Sequence, residues 1–240
     1  MEKLGLALVC LLLPILIKGA SSTTFTLKNN CPHKIWPAAL SSSGSLPTTG
    51  FELQSGSTLK IQAPPKWSGR FWPRTNCSTD ASSEFSCLSG DCGGGKPECA
   101  GTGGAPPASL AEFTLQGHDN KDFYDISLVD GYNVPVTIVP RGVPECNSTG
   151  CGADINRVCP PELQARSPDG VVLGCKSACL VFGEKEYCCS DDYNDPKVCK
   201  PTNYSKIFKD ACPQAYSYPY DDATSTFTCT GADYDITFCP

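Results

Sequence analysis

Ser109–Val139 reads SLAEFTLQGHDNKDFYDISLVDGYNVPVTIV and lies within the longest part of the chain that is free of cysteine. Apolar and polar residues alternate along Leu110–Leu115, which is typical of a half-buried β-strand. Every second side chain from Ala111 onward can therefore face a core, whereas Glu112 and Thr114 point to the opposite face.

The same stretch predicts two further strands. Phe123–Val129 is rich in aromatic and branched residues, and Val134–Val139 is a second run of this kind. Glu112, Asp125 and Asp130 are thus acidic residues on a β framework, and the functional hypothesis depends on them.

Outside this stretch, short alternating runs again predict strands, and few segments favour helices. The expected strands are Thr24–Asn30, Lys34–Leu40, two runs within Phe51–Ala63, Gly69–Trp72, Thr224–Thr228 and Tyr234–Phe238. The expected helices are Pro161–Arg166, Ser177–Phe182 and Asn203–Ala211. Cys77–Cys99 is rich in cysteine and glycine and is expected to be an irregular loop held by short bridges.

The N-terminal residues predict a secretory signal peptide, assigned to residues 1–22. Lys3 provides a basic start, Leu4–Ile17 forms the apolar segment, and small residues follow at Gly19–Ser22. A membrane span is the competing interpretation, but the run is short and Pro14 interrupts it. The mature chain is therefore expected to be secreted and soluble.

The cysteine content agrees with secretion. The chain contains 17 cysteines, of which Cys10 lies in the predicted signal peptide, so that 16 remain. An even number in a secreted protein indicates a disulfide framework rather than metal ligands. At about 2–4 kcal/mol each, such bridges allow long irregular loops. The sequence by itself leaves their connectivity open.

The formal net charge of −6 disfavours several partners. An acidic chain repels nucleic acid and anionic lipid, so a neutral, polar or cationic partner is expected, and nucleic acid is not. With only His33 and His118 in the chain, a Ser-His-Asp or Cys-His nucleophile is poorly supported. Gly93–Gly95 follows no predicted strand and is not a phosphate loop. No cofactor and no metal is expected, and the protein is expected to be a monomer.

Motifs distributed over the whole mature chain carry a family resemblance. They are Asn30–Pro32, Gly69–Trp72, Arg74–Cys77, Gly90–Cys92, Leu110–Phe113, Asp122–Asp130, Tyr187–Cys189, Ser217–Cys229 and Phe238–Pro240. Together with the 16 cysteines, they resemble the thaumatin-like proteins, the fifth group of plant pathogenesis-related proteins. The resemblance implies a mainly β fold, with a flattened antiparallel β-sandwich, two disulfide-rich loop domains and eight disulfides.

The resemblance also implies domain boundaries and cysteine pairs. The sandwich would comprise residues 23–74, 108–152 and 213–240, a small disulfide loop domain residues 75–107, and a disulfide-rich domain with short helices residues 153–212. The implied pairs are Cys31–Cys239, Cys77–Cys87, Cys92–Cys99, Cys146–Cys229, Cys151–Cys212, Cys159–Cys175, Cys179–Cys188 and Cys189–Cys199. The family's cleft lies between the sandwich and the larger disulfide-rich domain.

That cleft carries one arginine and four acids, and the matching residues here are Arg70, Glu112, Asp125, Asp130 and Asp221. Crowded carboxyls raise one another's pKa, while a guanidinium keeps its neighbours ionised. Glycoside hydrolysis needs one protonated and one ionised carboxyl. Glu112 is therefore the candidate acid, and Asp125 or Asp130 the candidate base or nucleophile. Carboxylates also bind sugar hydroxyls without catalysis.

Each of these residues also has a structural interpretation. Glu112 is also typical of a solvated strand face, Arg70 of a structural ion pair, and Asp221 of a loop. Asp130 precedes Gly131, a pair that is equally typical of a hairpin turn. Asp125 and Asp130 have opposite parity, so a bend must intervene if they face one cleft. Asp221 is preferred over Asp222 from the family pattern alone.

The resemblance implies a secreted plant defence protein, antifungal in action, that binds β-1,3-glucan or another fungal cell-wall component. Weak endo-β-1,3-glucanase activity is an added option. The alternative is a non-enzymatic protein that perturbs membranes or inhibits a hydrolase, for which the acidic cleft would attract a cationic protein. A stress or developmental protein with a dormant cleft is a third hypothesis. The chain ends at Phe238–Pro240, without the extension of vacuolar relatives, so the apoplast is the expected location.

Three sequons predict N-glycosylation with unequal strength. Asn147 and Asn203 are the expected acceptors. Asn76 is a poorer one, because the next residue, Cys77, is a predicted half-cystine.

Overall fold

The computed structural model describes residues 22–240, so the predicted signal peptide lies outside the described residues except for Ser22. The described chain forms fourteen strands, β1 to β14: Thr23–Asn29, Ala38–Ser43, Thr58–Ala63, Ser68–Trp72, Thr75–Thr79, Phe85–Ser89, Leu110–Thr114, Asp122–Ser127, Val136–Arg141, Thr149–Cys151, Gln164–Arg166, Val172–Cys175, Phe227–Cys229 and Asp233–Phe238. Four short α-helices in the same range, α1 to α4, span Ala178–Phe182, Lys185–Cys188, Asn203–Ala211 and Asp222–Ser225. None of the helices in residues 22–240 is both long and apolar enough to cross a membrane.

Ten of the described strands form two five-stranded sheets. The first sheet has the order β10-β9-β14-β1-β3, and the second has the order β13-β8-β7-β4-β2. Neighbouring strands are antiparallel except β1 and β14, which pair in parallel. The other four strands form the hairpins β5–β6 and β11–β12. The predicted mainly β, largely antiparallel architecture is confirmed.

Aromatic side chains fill the space between the two sheets. Phe25 of β1 packs on Phe71 of β4 and Phe113 of β7, with ring centroids 5.0 and 4.7 Å apart. These rings and Ala111 are buried, as the alternation along β7 predicts. Glu112, between the buried residues Ala111 and Phe113 of β7, therefore lies on the outer face of the second sheet.

Disulfides hold the loops to this core. The sixteen cysteines within residues 22–240 form eight disulfides. They are the eight pairs that the resemblance implies, from Cys31–Cys239 to Cys189–Cys199. Their sequence separations range from 7 to 208 residues. Some disulfides therefore close short loops, and Cys31–Cys239 connects the N-terminal and C-terminal strands.

Three predictions in the N-terminal half differ from the structure. Lys34–Leu40 is not one strand: β2 begins only after Pro37, and Ile35 makes an isolated bridge with Leu53. Proline has no N–H for a strand ladder, which explains the break. Cys77–Cys99 is not purely a loop, because it contains most of the hairpin β5–β6. Of the two runs expected within Phe51–Ala63, only the second forms a strand, β3.

Two predictions in the C-terminal half were also wrong in part. Pro161–Arg166 forms one 3-10 turn followed by strand β11 rather than a helix. Thr224–Thr228 is divided between α4 and β13. The helix at Asn203–Ala211 is confirmed, and it begins with a capping box between Thr202 and Ser205.

Candidate functional site

Four neighbouring strands align a row of side chains across the outer face of the second sheet. The register pairs Leu40 of β2 with Arg70 of β4, Arg70 with Glu112 of β7, and Glu112 with Asp125 of β8. Directly opposite residues in antiparallel strands have Cβ atoms about 4.5–5.5 Å apart on the same face. Residues that are distant in sequence thus meet because the strand order places them side by side.

This row forms part of an open groove of about 440 Å³. The next row along the strands adds Ser68, Thr114 and Phe123, which are also register neighbours. The lining residues are Leu40, Ser42, Ser68, Gly69, Arg70, Glu112, Phe113, Thr114, Phe123 and Asp125. Hydroxyl, carboxyl and guanidinium groups next to apolar side chains suit a polar ligand that has apolar faces.

Arg70 and Glu112 form the polar centre of the groove. Arg70 Nη1 lies 3.7 Å from Glu112 Oε1, and the side chains are 34% and 37% exposed. Desolvation raises the pKa of Glu112 above its ordinary value, Arg70 opposes this rise, and Asp130 adds to it. Burial and the charge of Asp130 thus favour the protonated form of Glu112, and the guanidinium of Arg70 favours the ionised form.

Asp125 retains its proton near neutral pH. Burial raises the pKa of Asp125 from 3.8 to about 8, and the charges of Glu112 and Asp222 contribute to the rise. Its Oδ1 atom is buried and has no hydrogen-bond partner among residues 22–240. A protonated carboxyl has both a hydrogen-bond donor and an acceptor.

Asp130 lies beyond the end of β8, which ends at Ser127. A turn follows the strand, closed by a hydrogen bond of 2.9 Å from Gly131 N to Leu128 O. A turn therefore separates Asp130 from the strand that carries Asp125. Asp130 does not line the groove itself, and it acts on Glu112 through its charge.

The two adjacent aspartates at the start of α4 have different partners. Asp221 Oδ2 accepts hydrogen bonds from the N–H and the hydroxyl of Ser217 at 3.0 and 2.9 Å, and it lies 2.9 Å from Lys209 Nζ. Asp222 Oδ1 accepts a hydrogen bond from the Tyr216 hydroxyl at 2.9 Å. The carboxylate of Asp221 is thus held within its own part of the chain.

The structure brings together some of the predicted cleft residues but not all. Arg70, Glu112 and Asp125 line one groove, whereas Asp130 and Asp221 are not among its lining residues. Leu40 and Phe123 line the groove and were missed as site residues. Strand alternation places both on an outer face, but the sequence gives no signal that β2 and β8 belong to one sheet.

The three sequon asparagines are all exposed. Asn147 lies before β10, Asn203 is the first residue of α3, and Asn76 lies in β5. Each is therefore accessible on the folded surface, and glycosylation at Asn147 and Asn203 stays a prediction.

The sequence of this chain matches a known protein family. The model of the Thaumatin family matches residues 29–240. Thaumatin-like protein 1 of Pyrus pyrifolia is 53% identical over 226 residues, which cover 92% of this chain and 93% of that protein. Pathogenesis-related thaumatin-like protein 3.5 of Cryptomeria japonica is 54% identical, with 92% of this chain and 91% of that protein covered. A Prunus avium protein named glucan endo-1,3-beta-glucosidase is 51% identical, with 92% of each chain covered.

A solved structure shares the fold at low identity. It is a laminaripentaose-producing β-1,3-glucanase of glycoside hydrolase family 64 from Paenibacillus barengoltzii, complexed with laminarihexaose. The TM-score is 0.53 at 12% identity, over 90% of this chain and 74% of that chain. The family model matches residues 29–240, and the relatives match 92% of the chain at 53% and 54% identity. The chain therefore belongs to the thaumatin family of thaumatin-like, pathogenesis-related proteins.

Proposed function

We propose that this protein binds β-1,3-glucan of fungal cell walls in the groove and acts as a secreted defence protein. The row of Arg70, Glu112 and Asp125 along an open groove carries the proposal. A glucan offers ring hydroxyls, which pair with carboxyl and guanidinium groups. It also offers apolar ring faces, for which Leu40 and Phe123 provide matching surface.

The names of relatives support this ligand and this role. One relative, about half identical to this chain, is named a glucan endo-1,3-beta-glucosidase, and another is named a pathogenesis-related protein. A glucan of the fungal wall fits both names, because it is a β-1,3-linked polysaccharide and belongs to a pathogen.

Weak endo-β-1,3-glucanase activity is the second part of the proposal. With a pKa of about 8, Asp125 carries a proton between pH 5 and 7 and is suited to act as the acid. Glu112, paired with Arg70, is suited to be the ionised carboxyl. This assignment is the reverse of the one expected from the sequence, because the guanidinium pairs with the glutamate and not with the aspartate.

We also propose that the protein is secreted. Eight disulfides are typical of an oxidising compartment. Together with the predicted signal peptide, they support the apoplast as the location. Glycans at Asn147 and Asn203 would be added on the same route.

Glu112→Gln is expected to weaken the binding of soluble laminarin at least about tenfold, or ~1.4 kcal/mol. The substitution keeps the shape of the side chain but removes the charge that pairs with Arg70. Isothermal titration calorimetry at pH 6 measures the affinity, and release of reducing ends measures hydrolysis in the same samples. Hydrolysis is expected to fall with binding.

Asp119→Asn is the matched control, since Asp119 is an exposed acid in the loop between β7 and β8 and is not among the residues that line the groove. Its affinity for laminarin should equal that of the wild type. Unchanged binding in Glu112→Gln would remove the groove from the function. Leakage from glucan-free vesicles, if it persisted in Glu112→Gln, would favour the membrane alternative instead.

A further inference from the structure

One of the three sequon asparagines, Asn76, lines an apolar hollow on the surface. We propose that Asn76 carries an N-linked glycan and that the first sugar of this glycan packs in the hollow, which lies between the hairpins β5–β6 and β11–β12. The acceptor that the sequence favours least is thus the one with a matching surface beside it. The proposal rests on the secretion that is part of the proposed function, because N-glycans are added on the secretory route.

The register of the hairpin β5–β6 sets the position of Asn76. Thr75 of β5 pairs with Ser89 of β6. The next position along the hairpin therefore places Asn76 opposite Leu88. The first pair is buried, whereas Asn76 and Leu88 are exposed. Both side chains thus lie on the outer face of the hairpin.

The hollow is formed by this face and by the hairpin β11–β12 with its turn. Its volume is about 180 Å³, and its lining residues are Asn76, Leu88, Ser167, Asp169, Val171 and Leu173. Leu88 is 55% exposed and Val171 is 57% exposed. Large aliphatic side chains around the sequon asparagine are therefore left uncovered by the protein itself.

The chemistry of the hollow suits an N-acetylhexosamine, the first sugar of an N-linked glycan. One face of the pyranose ring presents C–H groups, and the acetyl group adds a methyl, so contact with Leu88 and Val171 removes apolar surface from water. The turn beside them is closed by a hydrogen bond of 2.9 Å from Ser167 N to Val171 O. The carboxylate of Asp169 in this turn can accept a hydrogen bond from a sugar hydroxyl.

A covalent attachment explains how so small a hollow can be filled. Pockets for free ligands typically measure ~300–1,000 Å³, so a hollow of about 180 Å³ gives one sugar few contacts. Attachment at Asn76 raises the local concentration of the sugar to about millimolar, which populates even a weak contact. The hollow is therefore better matched to a sugar attached at its edge than to a sugar from solution.

The half-cystine after Asn76 does not bury the acceptor. Asn76 and Ser78, the hydroxyl residue of the sequon, are both exposed while the Cys77–Cys87 bridge is closed. In the transfer, Asn76 Nδ2 forms a bond to the anomeric carbon of a lipid-diphosphate-linked oligosaccharide. The bond from that carbon to the diphosphate breaks, the lipid diphosphate leaves with the bonding electrons, and the amide nitrogen loses one of its two protons.

The first test measures the occupancy of Asn76 in the full chain, secreted from cultured plant cells with its own residues 1–22. Enzymatic release of glycans from its peptides in ¹⁸O-water converts each occupied asparagine to a labelled aspartate, which mass spectrometry locates. The label is expected at Asn76 in the wild type and in Ser78→Thr, and it should be lost in Ser78→Ala. Ser78→Ala is preferred to Asn76→Gln because Asn76 has a φ of +52°, a left-handed conformation that asparagine adopts more readily than glutamine.

An unlabelled Asn76 in secreted wild-type protein overturns the proposal and leaves the proposed secretion intact. Absence of the protein from the medium overturns the proposed secretion and the glycan with it. These two failures are therefore distinguishable.

The second test concerns the packing of the sugar. After the glycan has been trimmed to its first sugar, nuclear Overhauser cross-peaks are expected between the sugar protons and the methyl groups of Leu88 and Val171. Leu59 of β3, a leucine that is also exposed but does not line the hollow, is the control and should show none. The melting temperature of Ser78→Ala is expected to lie about 2–4 °C below that of the wild type. An occupied Asn76 without cross-peaks to Leu88 or Val171 overturns the packing.

Discussion

Asp125→Asn is expected to raise the free energy of unfolding by roughly 3–5 kcal/mol at pH 8, while it weakens glucan binding. The gain arises because the wild-type carboxyl is buried beside two acids, and its pKa is raised to about 8. Each tenfold shift in the ionisation constant corresponds to ~1.4 kcal/mol. An amide has no proton to lose, so the variant avoids this penalty. Urea unfolding with disulfides intact, at pH 4, 6 and 8, measures the difference.

The sign of the pH dependence follows from linkage. In the unfolded chain Asp125 ionises near pH 3.8, but in the folded protein it ionises only near pH 8. Between these values the folded state binds more protons than the unfolded state, so the wild type loses stability as the pH rises. The advantage of Asp125→Asn should therefore be small at pH 4, grow through pH 6 and level off above pH 8. An advantage that is the same at every pH would contradict this account, and Asp119→Asn should show no advantage.

Asp125 lowers the stability of the fold, so a functional role explains its presence in the groove better than a structural role does. Asp125 has a buried oxygen without a partner in the described chain, and its strand neighbours Tyr124 and Ile126 already supply the core contacts of β8. Proteins tolerate such local penalties mainly at sites where the group is used. Asp125→Asn therefore tests the stability and the function of the same carboxyl.

The local pattern of the sequence was sufficient to predict the outer face of β7. Ala111 and Phe113 are buried and Glu112 is not, because the period of a strand fixes which side chains share a face. The disulfides were expected in number from the even cysteine count, but their pairing came from the family resemblance. No local pattern specifies which cysteines meet across long loops.

The groove itself depends on the order of strands, which local patterns do not contain. Arg70, Glu112 and Asp125 form one row only because β4, β7 and β8 are neighbours in register. The different partners of Asp221 and Asp222 were equally hidden. They depend on α4, in a region where the alternation of Thr224–Thr228 predicts a strand and a short helix forms first.

The largest loss of stability is expected when the bridge between the two chain ends is removed. Cys31 follows β1 and Cys239 follows β14, and these strands are the one parallel pair in the two sheets of the described chain. A parallel pair needs a long connection, and here the disulfide closes 208 residues. In the chain-entropy model such a loop corresponds to about 5 kcal/mol. Cys31→Ala combined with Cys239→Ala is therefore expected to lower the free energy of unfolding by roughly 4–5 kcal/mol.

The control is Cys77→Ala combined with Cys87→Ala, which opens a bridge across the hairpin β5–β6 with a sequence separation of 10. The same model gives about 3 kcal/mol or less for a loop of this size. Removal of Cys31–Cys239 should therefore lower the free energy of unfolding more than removal of Cys77–Cys87 does. Guanidinium unfolding of both double variants at pH 6 provides the comparison. If the two losses were equal, restriction of the unfolded chain would not be the main contribution of Cys31–Cys239. Its burial at the end of the parallel pair would then be the dominant factor, because Cys31 is fully buried.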